Sequence, residues 1–364
     1  MKTTKKFLSL LLVLLISMFS VGCGQTKTKQ NTSQNDLTNL KIHYIDVGQA
    51  DSELIQIDGK NILIDAGCND NKALNYLKSI GVKNLDYVIA THPHEDHIGG
   101  MATIINNFNI GEFYAPKVTH TTKTFEKMIK ALQSKGAKIT APTVGDTLNI
   151  GNSTLQFLAP NSSKYEDLNN YSIATRLKYG NKSFVFTGDA EALSENEILS
   201  KQLDISGDVL KLGHHGSHSS TSQAFLDKVN PKYAIISCGK DNDYGHPHKE
   251  TMDKLNAKNI NVFRTDLEGT IIATSNGNDI TFNVSPLNNK SNISGSKEKS
   301  TISKNNNDLT TNEPVQEEKI VYWTKGGKSY HYDKNCKSLA KSKEVLEGFA
   351  SSCPKTDPCN NCVK

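Results

Sequence analysis

Neither sign of charge dominates this sequence. Its 42 lysines and arginines stand against 38 aspartates and glutamates for a formal +4, and Lys2, Lys5 and Lys6 supply three of those charges, leaving +1 beyond them. The body from residue 39 to residue 286 holds 24 basic and 28 acidic side chains, a net −4. It is not a polycation, and any general grip on polyanions is expected in the tail from Lys319 to Lys364, which has nine lysines and four acids. Cysteine is thinly spread: of seven, Cys68 and Cys238 stand alone, and Cys336, Cys353, Cys359 and Cys362 crowd the last thirty residues. That excludes a disulfide framework through the main body. Long apolar runs are missing as well. Phe7 to Val21 falls short of the ~20 residues that a bilayer span needs, and no series of such runs follows it.

The start of the chain reads as an address. Lysines at 2, 5 and 6, the apolar run to Val21, and then Gly22-Cys23 have the layout of a secretory signal over residues 1–22. A small residue directly before cysteine resembles a lipobox, which implies that Cys23 becomes the lipidated first residue, although Ser20 stands where that motif prefers leucine. The expected location is the extracellular face of the cell membrane, held by lipid. Residues 23–38 are polar without periodicity and read as a flexible tether; residues 287–318, dominated by Asn, Ser, Lys, Thr and Glu, read as a disordered linker.

Between them lies the stretch on which the chain turns, Thr91-His92-Pro93-His94-Glu95-Asp96-His97-Ile98-Gly99-Gly100. It follows an apolar run, Leu85 to Ala90, that reads as a buried strand. Pro93 stops that strand, so His92 and His94 can point one way from an extended turn while Asp96 and His97 open a helix. Two ligand pairs on two short backbone geometries suit two divalent ions, zinc or manganese, whose charge offsets the −4 of the body. The pattern repeats later. Phe184 to Thr187 is an apolar strand ending at Gly188-Asp189, and Val209 to Leu212 is another, ending at Gly213-His214-His215-Gly216-Ser217. Strands are also expected over 41–47, 52–57, 61–64, 112–115, 138–140, 147–150, 154–159, 172–179, 233–238, 261–264, 269–274 and 279–284, the last three closing the second sheet. Helices are expected over 71–80, 121–134 and 221–229, after the motif as far as Phe108, and near Glu191 and Glu250.

H-x-H-x-D-H after a hydrophobic strand resembles the metallo-β-lactamase-fold hydrolases. The resemblance runs over residues 39–286 and implies an α/β fold, an αββα sandwich with a binuclear metal site between its sheets. Asp46-Val-Gly-Gln-Ala-Asp51, Ile64-Asp65-Ala66-Gly67, Gly188-Asp189 and Lys211 to Ser217 resemble in particular the extracellular hydrolase domain of ComEC-type DNA-uptake channel proteins. The resemblance implies that His92, His94, Asp96, His97, Asp189 and His215 hold metal, with Asp189 bridging, and that Asp96, His214 and His246 serve catalysis. His218 and His248 are expected at the surface, and Asp65 either caps a turn or supports a ligand. One departure stands out. Better-known members carry a further histidine between the motif and the bridging aspartate, where this chain has only His120; the place around Asn169-Asn170-Tyr171-Ser172 is similar to the channel-type domains instead, which leaves that ligand position open or to be filled by His214 or His246.

The tail, residues 319–364, reads as a separate small module: a β-hairpin from Val321 to Tyr332, then a helical stretch, with His331, Cys336, Cys359 and Cys362 as a closed structural zinc site. It resembles zinc-ribbon-like modules appended to secreted bacterial proteins and nucleases. Disulfides are the alternative, and Cys353 is the odd one out in either case. The expected activity is metal-dependent hydrolysis of a phosphodiester, with DNA as the leading substrate. A cell-envelope phosphodiesterase of the phosphorylcholine esterase type and a non-catalytic, polyanion-binding lipoprotein are the other readings. The expected partners are DNA or another phosphodiester polymer and the membrane, with no protein partner indicated.

Overall fold

Alternation of side chains decides the layering. In the strand Lys60–Ile64, Ile62 and Ile64 face one way and Leu63 the other, yet all three are buried. A strand covered on both faces belongs to a sheet with neighbours on both sides. The computed structural model describes residues 39–287, 320–324, 329–332, 334, 336–339, 345–349 and 357–358. The expected signal and tether with Cys23, the linker after Leu287, and Cys353, Cys359 and Cys362 lie outside the described residues. The chain divides into one unit through Glu298 and another from Lys299.

In the first unit, β1 (Leu40–Tyr44), β2 (Glu53–Ile57) and β3 (Lys60–Ile64) form an antiparallel meander. It is continued in parallel by β4 (Asn84–Ile89), β5 (Asn109–Tyr114) and β6 (Ile139–Thr140). The second sheet starts with the antiparallel strands β7 (Thr147–Ile150), β8 (Ser153–Phe157), β9 (Thr175–Tyr179) and β10 (Lys182–Phe186). It goes on in parallel through β11 (Val209–Lys211), β12 (Tyr233–Ile236) and β13 (Asn261–Arg264). Leu40, Ile42, Tyr44, Phe157, Leu177, Phe184, Phe186 and Phe263 fill the space between the sheets. The helices α1 (Lys72–Ser79), α2 (Glu95–Ile98), α3 (Met101–Asn107) and α4 (Lys123–Lys135) follow strands of the first sheet, and their apolar residues cover its outer face. After strands of the second come α5 (Ala192–Ser200), α6 (Gln223–Val229) and α7 (Lys249–Ala257), which cover that sheet's outer face in the same way. This is the expected αββα sandwich.

The final strands do not lie where expected. Only β13 lies in the second sheet; β14 (Ile271–Ser275) and β15 (Ile280–Phe282) cross back to the first, with β14 antiparallel to β1. Alternation identifies a strand but not its neighbour, and the short helix α8 (Thr265–Glu268) that turns the chain was not foreseen. Among the described residues no helix is long and apolar enough to cross a membrane. In the second unit, Tyr322 and His331 exchange backbone hydrogen bonds at 2.8 and 2.7 Å, as a hairpin requires. Ile320–Trp323 also pairs with Leu346–Phe349, so part of the expected helical stretch is strand.

The polarity of the sheets collects the loops. The segments after β3, β4, β10, β11 and β12, and the turn from β1 into β2, all emerge at one end of the sandwich. That is where the carboxyl ends of parallel strands leave room for a site. The turn out of β4 is held tightly: Gly100 donates its N–H to Gly67 at 3.0 Å, and a Cβ there would lie 2.4 Å from the Ala66 carbonyl oxygen. Backbone cannot yield as a flexible side chain does. Gly100→Ala is therefore expected to cost about 1–3 kcal/mol in urea unfolding, and an unchanged midpoint and slope would show that the motif loop has more room than this packing implies.

Candidate metal centre

Two buried aspartates that bind no neighbour of their own strand set the geometry. Asp65 sits at the end of β3 in the left-handed region, φ 54°, and is fully buried. Its carboxylate accepts the Thr91 N–H at 2.8 Å, the Thr91 hydroxyl at 2.6 Å and His97 Nδ1 at 2.7 Å. It is therefore not a turn cap. With Nδ1 donating to Asp65, Nε2 of His97 is turned to the site, 3.2 Å from Asp189 Oδ2. Asp51 supports the other sheet by charge. His215 Nδ1 donates to the Ser237 carbonyl at 3.0 Å with Asp51 Oδ1 3.2 Å away, and this presents His215 Nε2 to Asp96 Oδ2 at 3.1 Å.

The backbone around the vicinal histidines is unusual. His214 (φ 49°, ψ 48°) and His215 (φ 54°, ψ 22°) are consecutive left-handed residues inside a 3₁₀ turn, Gly213–Gly216. Each non-glycine residue in that region costs of order 1–3 kcal/mol. The turn survives because Gly216 packs against Pro247, where a Cβ would come within 2.7 Å, and because the His215 ring is fixed at both nitrogens. The two imidazoles do not face opposite ways: each has Nε2 3.8 Å from Asp189 Oδ2. Asp189 itself, at the end of β10, is placed by the Ser172 hydroxyl, which accepts its N–H at 3.0 Å.

Donor atoms of Asp96, His97, Asp189 and His215 all lie within 4.8 Å of one another. His92 Nε2 lies 3.8 Å from Asp189 Oδ2 and 2.9 Å from His94 Nδ1, so the other five expected ligands gather around the Asp189 carboxylate, His94 by way of His92. Two further facts fit a cation. Asp189 Oδ1 is buried without a hydrogen-bond partner and His97 Nε2 has only Asp189 Oδ2 beside it at 3.2 Å, an arrangement that is costly unless something else binds them. Protons also pile up where the carboxylates converge. Burial opposes charge on His215, yet Asp189 and Asp51 outweigh it and push the imidazole up to about 10; His97 is likewise raised, against burial, by Asp189, Asp65 and Asp96. Such a field attracts divalent metal as readily as protons. Imidazole and carboxylate donors suit zinc and manganese alike.

Behind the cluster lies an ion pair that the sequence did not announce. Lys211 Nζ donates to Asp51 Oδ2 at 2.7 Å, and both side chains are buried. Desolvation disfavours both charges, but mutual attraction wins: Lys211 is held above its usual pKa and Asp51 is lowered to about 2. Glu53, two residues on, is pushed well above the carboxylate range by burial and by Asp51.

In front, a cleft of about 330 Å³ opens over the cluster. His214 and His246 line it with Gln49, Asn169 and Tyr244. His214 Nδ1 is surrounded by Ser219 Oγ at 3.2 Å, Asn169 Nδ2 at 3.5 Å and Glu191 Oε1 at 3.6 Å, leaving Nε2 toward Asp189. Burial lowers its basicity, but Glu191 and Asp189 raise it to a net upward shift. His246 is the reverse: burial, then the neighbouring histidines, lower it to about 3. Gln49 fixes its ring, accepting the Gly239 N–H at 2.9 Å through Oε1 and donating Nε2–H to His246 Nδ1 at 3.1 Å. His120 bonds only its neighbour Thr122, at 3.1 Å, and is not among the cleft residues. The position left open by the sequence is lined by Asn169. His218 and His248 pair with each other at 2.9 Å. His331 and Cys336 are buried in the second unit, and their expected partners Cys359 and Cys362 lie outside the described residues. Asp51, Lys211, Ser172, Asn169, Glu191 and Gln49 carry no role that the sequence assigned, although the motifs Asp46 to Asp51, Asn169 to Ser172 and Lys211 to Ser217 contain all of them but Glu191.

The profile of the metallo-beta-lactamase superfamily matches residues 45–240. The chain is 32% identical over 266 residues to ComE operon protein 3 of Bacillus subtilis, covering 68% of this chain and 34% of that protein. It is 31% identical over 238 residues to Recombination protein 2 of Haemophilus influenzae (64% and 28% covered) and 29% identical over 230 residues to Competence protein ComA of Neisseria gonorrhoeae (62% and 31%). The chain thus spans about a third of the length of these relatives. Among solved structures it is similar to the metallo-beta-lactamase fold protein YhfI of Bacillus subtilis, with a TM-score of 0.45 and 16% identity over 65% of this chain and all of that one.

Two outcomes follow from this geometry. Lys211→Met, which strands a buried Asp51 carboxylate, is expected to destabilise the protein by ~3–5 kcal/mol in guanidinium unfolding; a loss under ~1 kcal/mol would mean that the pair is not a structural requirement. Zinc or manganese added to chelator-treated protein at about a hundredfold excess over Kd is expected to raise Tm by roughly 5–10 °C, with the shift absent in Asp189→Ala. A parent protein whose Tm ignores both metals would rule the cluster out as a metal centre.

Proposed function

This chain belongs to the metallo-beta-lactamase superfamily, and on that premise we propose that it is a metal-dependent phosphodiesterase that cleaves DNA outside the cell membrane, where lipid on Cys23 holds it. The observation that carries the reading is the open cleft over a four-donor cluster, with a buried Asp189 oxygen in its lining that has no hydrogen-bond partner. His92 and His94 with Asp189, and Asp96, His97 and His215 with Asp189, are the side chains that would hold two ions. Divalent ions there supply stabilisation of the charge that develops on a phosphodiester and acidify water for attack.

The chain's own residues do the rest. Asp65 and the Ser237 carbonyl fix the tautomers of His97 and His215 so that each Nε2 faces inward. Ser172 pins the backbone of Asp189 and touches His92 Nδ1 at 3.3 Å, so one hydroxyl sets the spacing of two ligands. His214, oriented by Ser219, Asn169 and Glu191, offers Nε2 at the cleft wall as a proton donor to the leaving oxygen. His246, held neutral by its surroundings and oriented by Gln49, accepts or donates a hydrogen bond there without adding charge. The relatives named for competence and recombination support DNA as the polymer.

The direct check is release of labelled nucleotides from single-stranded DNA by the purified protein with manganese or zinc. Metal-dependent release is expected, reduced at least about a hundredfold in Asp96→Ala. Failure on DNA together with turnover of p-nitrophenyl phosphorylcholine would replace the nuclease with an envelope phosphodiesterase, and failure on both substrates would leave a binding protein.

A further inference from the structure

The cleft has an entrance as well as a floor. Tyr244 lines it and is 68% exposed, more than any other large apolar or aromatic residue among the described ones. Its ring is not adrift. One face lies nearly parallel to the His246 imidazole, at 19° and 5.6 Å between centroids. His246 in turn is buried, clamped by Gln49, by Asn242 Oδ1 on its N–H at 2.9 Å and by Asn242 Nδ2 on its carbonyl. The backbone of Tyr244 is tied down too, its carbonyl accepting His248 Nε2 at 3.2 Å. A fixed loop thus presents an aromatic ring with its inner face covered and its outer face open.

Charge makes that ring matter. No lysine or arginine lines the cleft, the one cation behind it, Lys211, is 1% exposed, and the body from 39 to 286 carries a net −4. Apart from bound metal, the walls of the cleft therefore offer no lysine or arginine grip on a phosphate backbone. A strand that reaches the metal cluster needs another hold, and stacking of a base on an aromatic face supplies one that tolerates any sequence. A choline-type cation is a poorer fit, since it calls for a cage of several aromatic faces and this rim has one tyrosine. The His246 ring lies 28° from the His215 ring at 6.1 Å, so the rings descend from the rim to the cluster in two steps.

Resting on the nuclease reading above, we propose that Tyr244, backed by His246, is the platform on which a nucleobase of single-stranded DNA stacks while a neighbouring phosphate occupies the metal cleft. Recognition is then by unpaired base rather than by backbone charge, which favours strand ends and single strands over duplex.

The test is binding, read by fluorescence anisotropy with manganese present. The probes are two phosphorothioate-linked, cleavage-resistant decamers, one of thymidine and one of abasic tetrahydrofuran units. The full chain is expected to prefer the thymidine strand about tenfold, with a shallow dependence on salt. Tyr244→Trp is expected to keep the preference, and Tyr244→Ala to bring the two affinities within about twofold. Equal affinities in the parent, no binding of either strand, or a preference that survives Tyr244→Ala would each overturn the platform. Because the readout is not cleavage, a protein that keeps the base preference but releases no nucleotide strikes only the nuclease reading, whereas cleavage without preference strikes only the platform.

Discussion

The structure depends on how it compensates buried negative charge. Asp51, Asp65 and Asp189 are each about 1% exposed or less, and Asp96 is half-buried beside them. An isolated carboxylate in such a place costs far more than folding can supply. Each is matched in a different way: Asp51 by the Lys211 ammonium, Asp65 by three hydrogen bonds, Asp96 by His215. Asp189 faces four imidazoles and retains an unpaired oxygen. Asp51 and Glu53 behind the site each keep a buried oxygen without a hydrogen bond as well, but only the Asp189 side opens to the cleft.

The same requirement explains why the site sits where the two sheets meet. Thr91 to His97 and Asp65 come from the first sheet, Asp189 and His214-His215 from the second, and Asp51 in the first reaches Lys211 in the second across 160 positions of sequence. Asp65 is matched within its own sheet, but Asp51, Asp96 and Asp189 each find a partner on the other. The sandwich is thereby locked by polar pairs at its functional end and by aromatic and aliphatic packing along its length. A buried pair of this kind adds less net stability than apolar packing of equal volume, but it tolerates no loss of one partner. Its effect here is registry between the sheets.

Much of this was legible in the sequence, for reasons that differ between elements. The ligand stretch could be read because three histidines and an aspartate in six positions after a strand have no structural purpose of their own. Elements such as α4, with Thr122 capping its first turn, or β10 with its run of buried aromatics, obeyed local rules and appeared close to where those rules place them. What escaped was set by tertiary neighbours. Lys211 looks like any strand lysine until its partner is known. The return of β14 and β15 to the first sheet depends on the turn at α8 and not on their composition. The left-handed His214-His215 pair leaves no trace in a pattern of hydrophobicity, because it is imposed by the contacts of Gly216 with Pro247 and of His215 with Ser237.

A cleft built in this way couples metal to substrate. Its walls carry the carboxylates of Glu95, Asp96 and Asp189 among four imidazoles and no lysine or arginine, and bound divalent cations would add positive charge for a phosphodiester. Linkage is reciprocal: if metal raises the affinity for a phosphate strand, the strand raises the affinity for metal by the same factor. A metal at this site would then be retained best while polymer occupies the cleft. The aromatic rim matters most under that regime, because a base stacked on Tyr244 keeps the strand near the cluster during the intervals when metal is absent. On the proposed reading, the metal ligands and the exposed tyrosine are two parts of one arrangement, in which substrate binding and metal binding would complete each other.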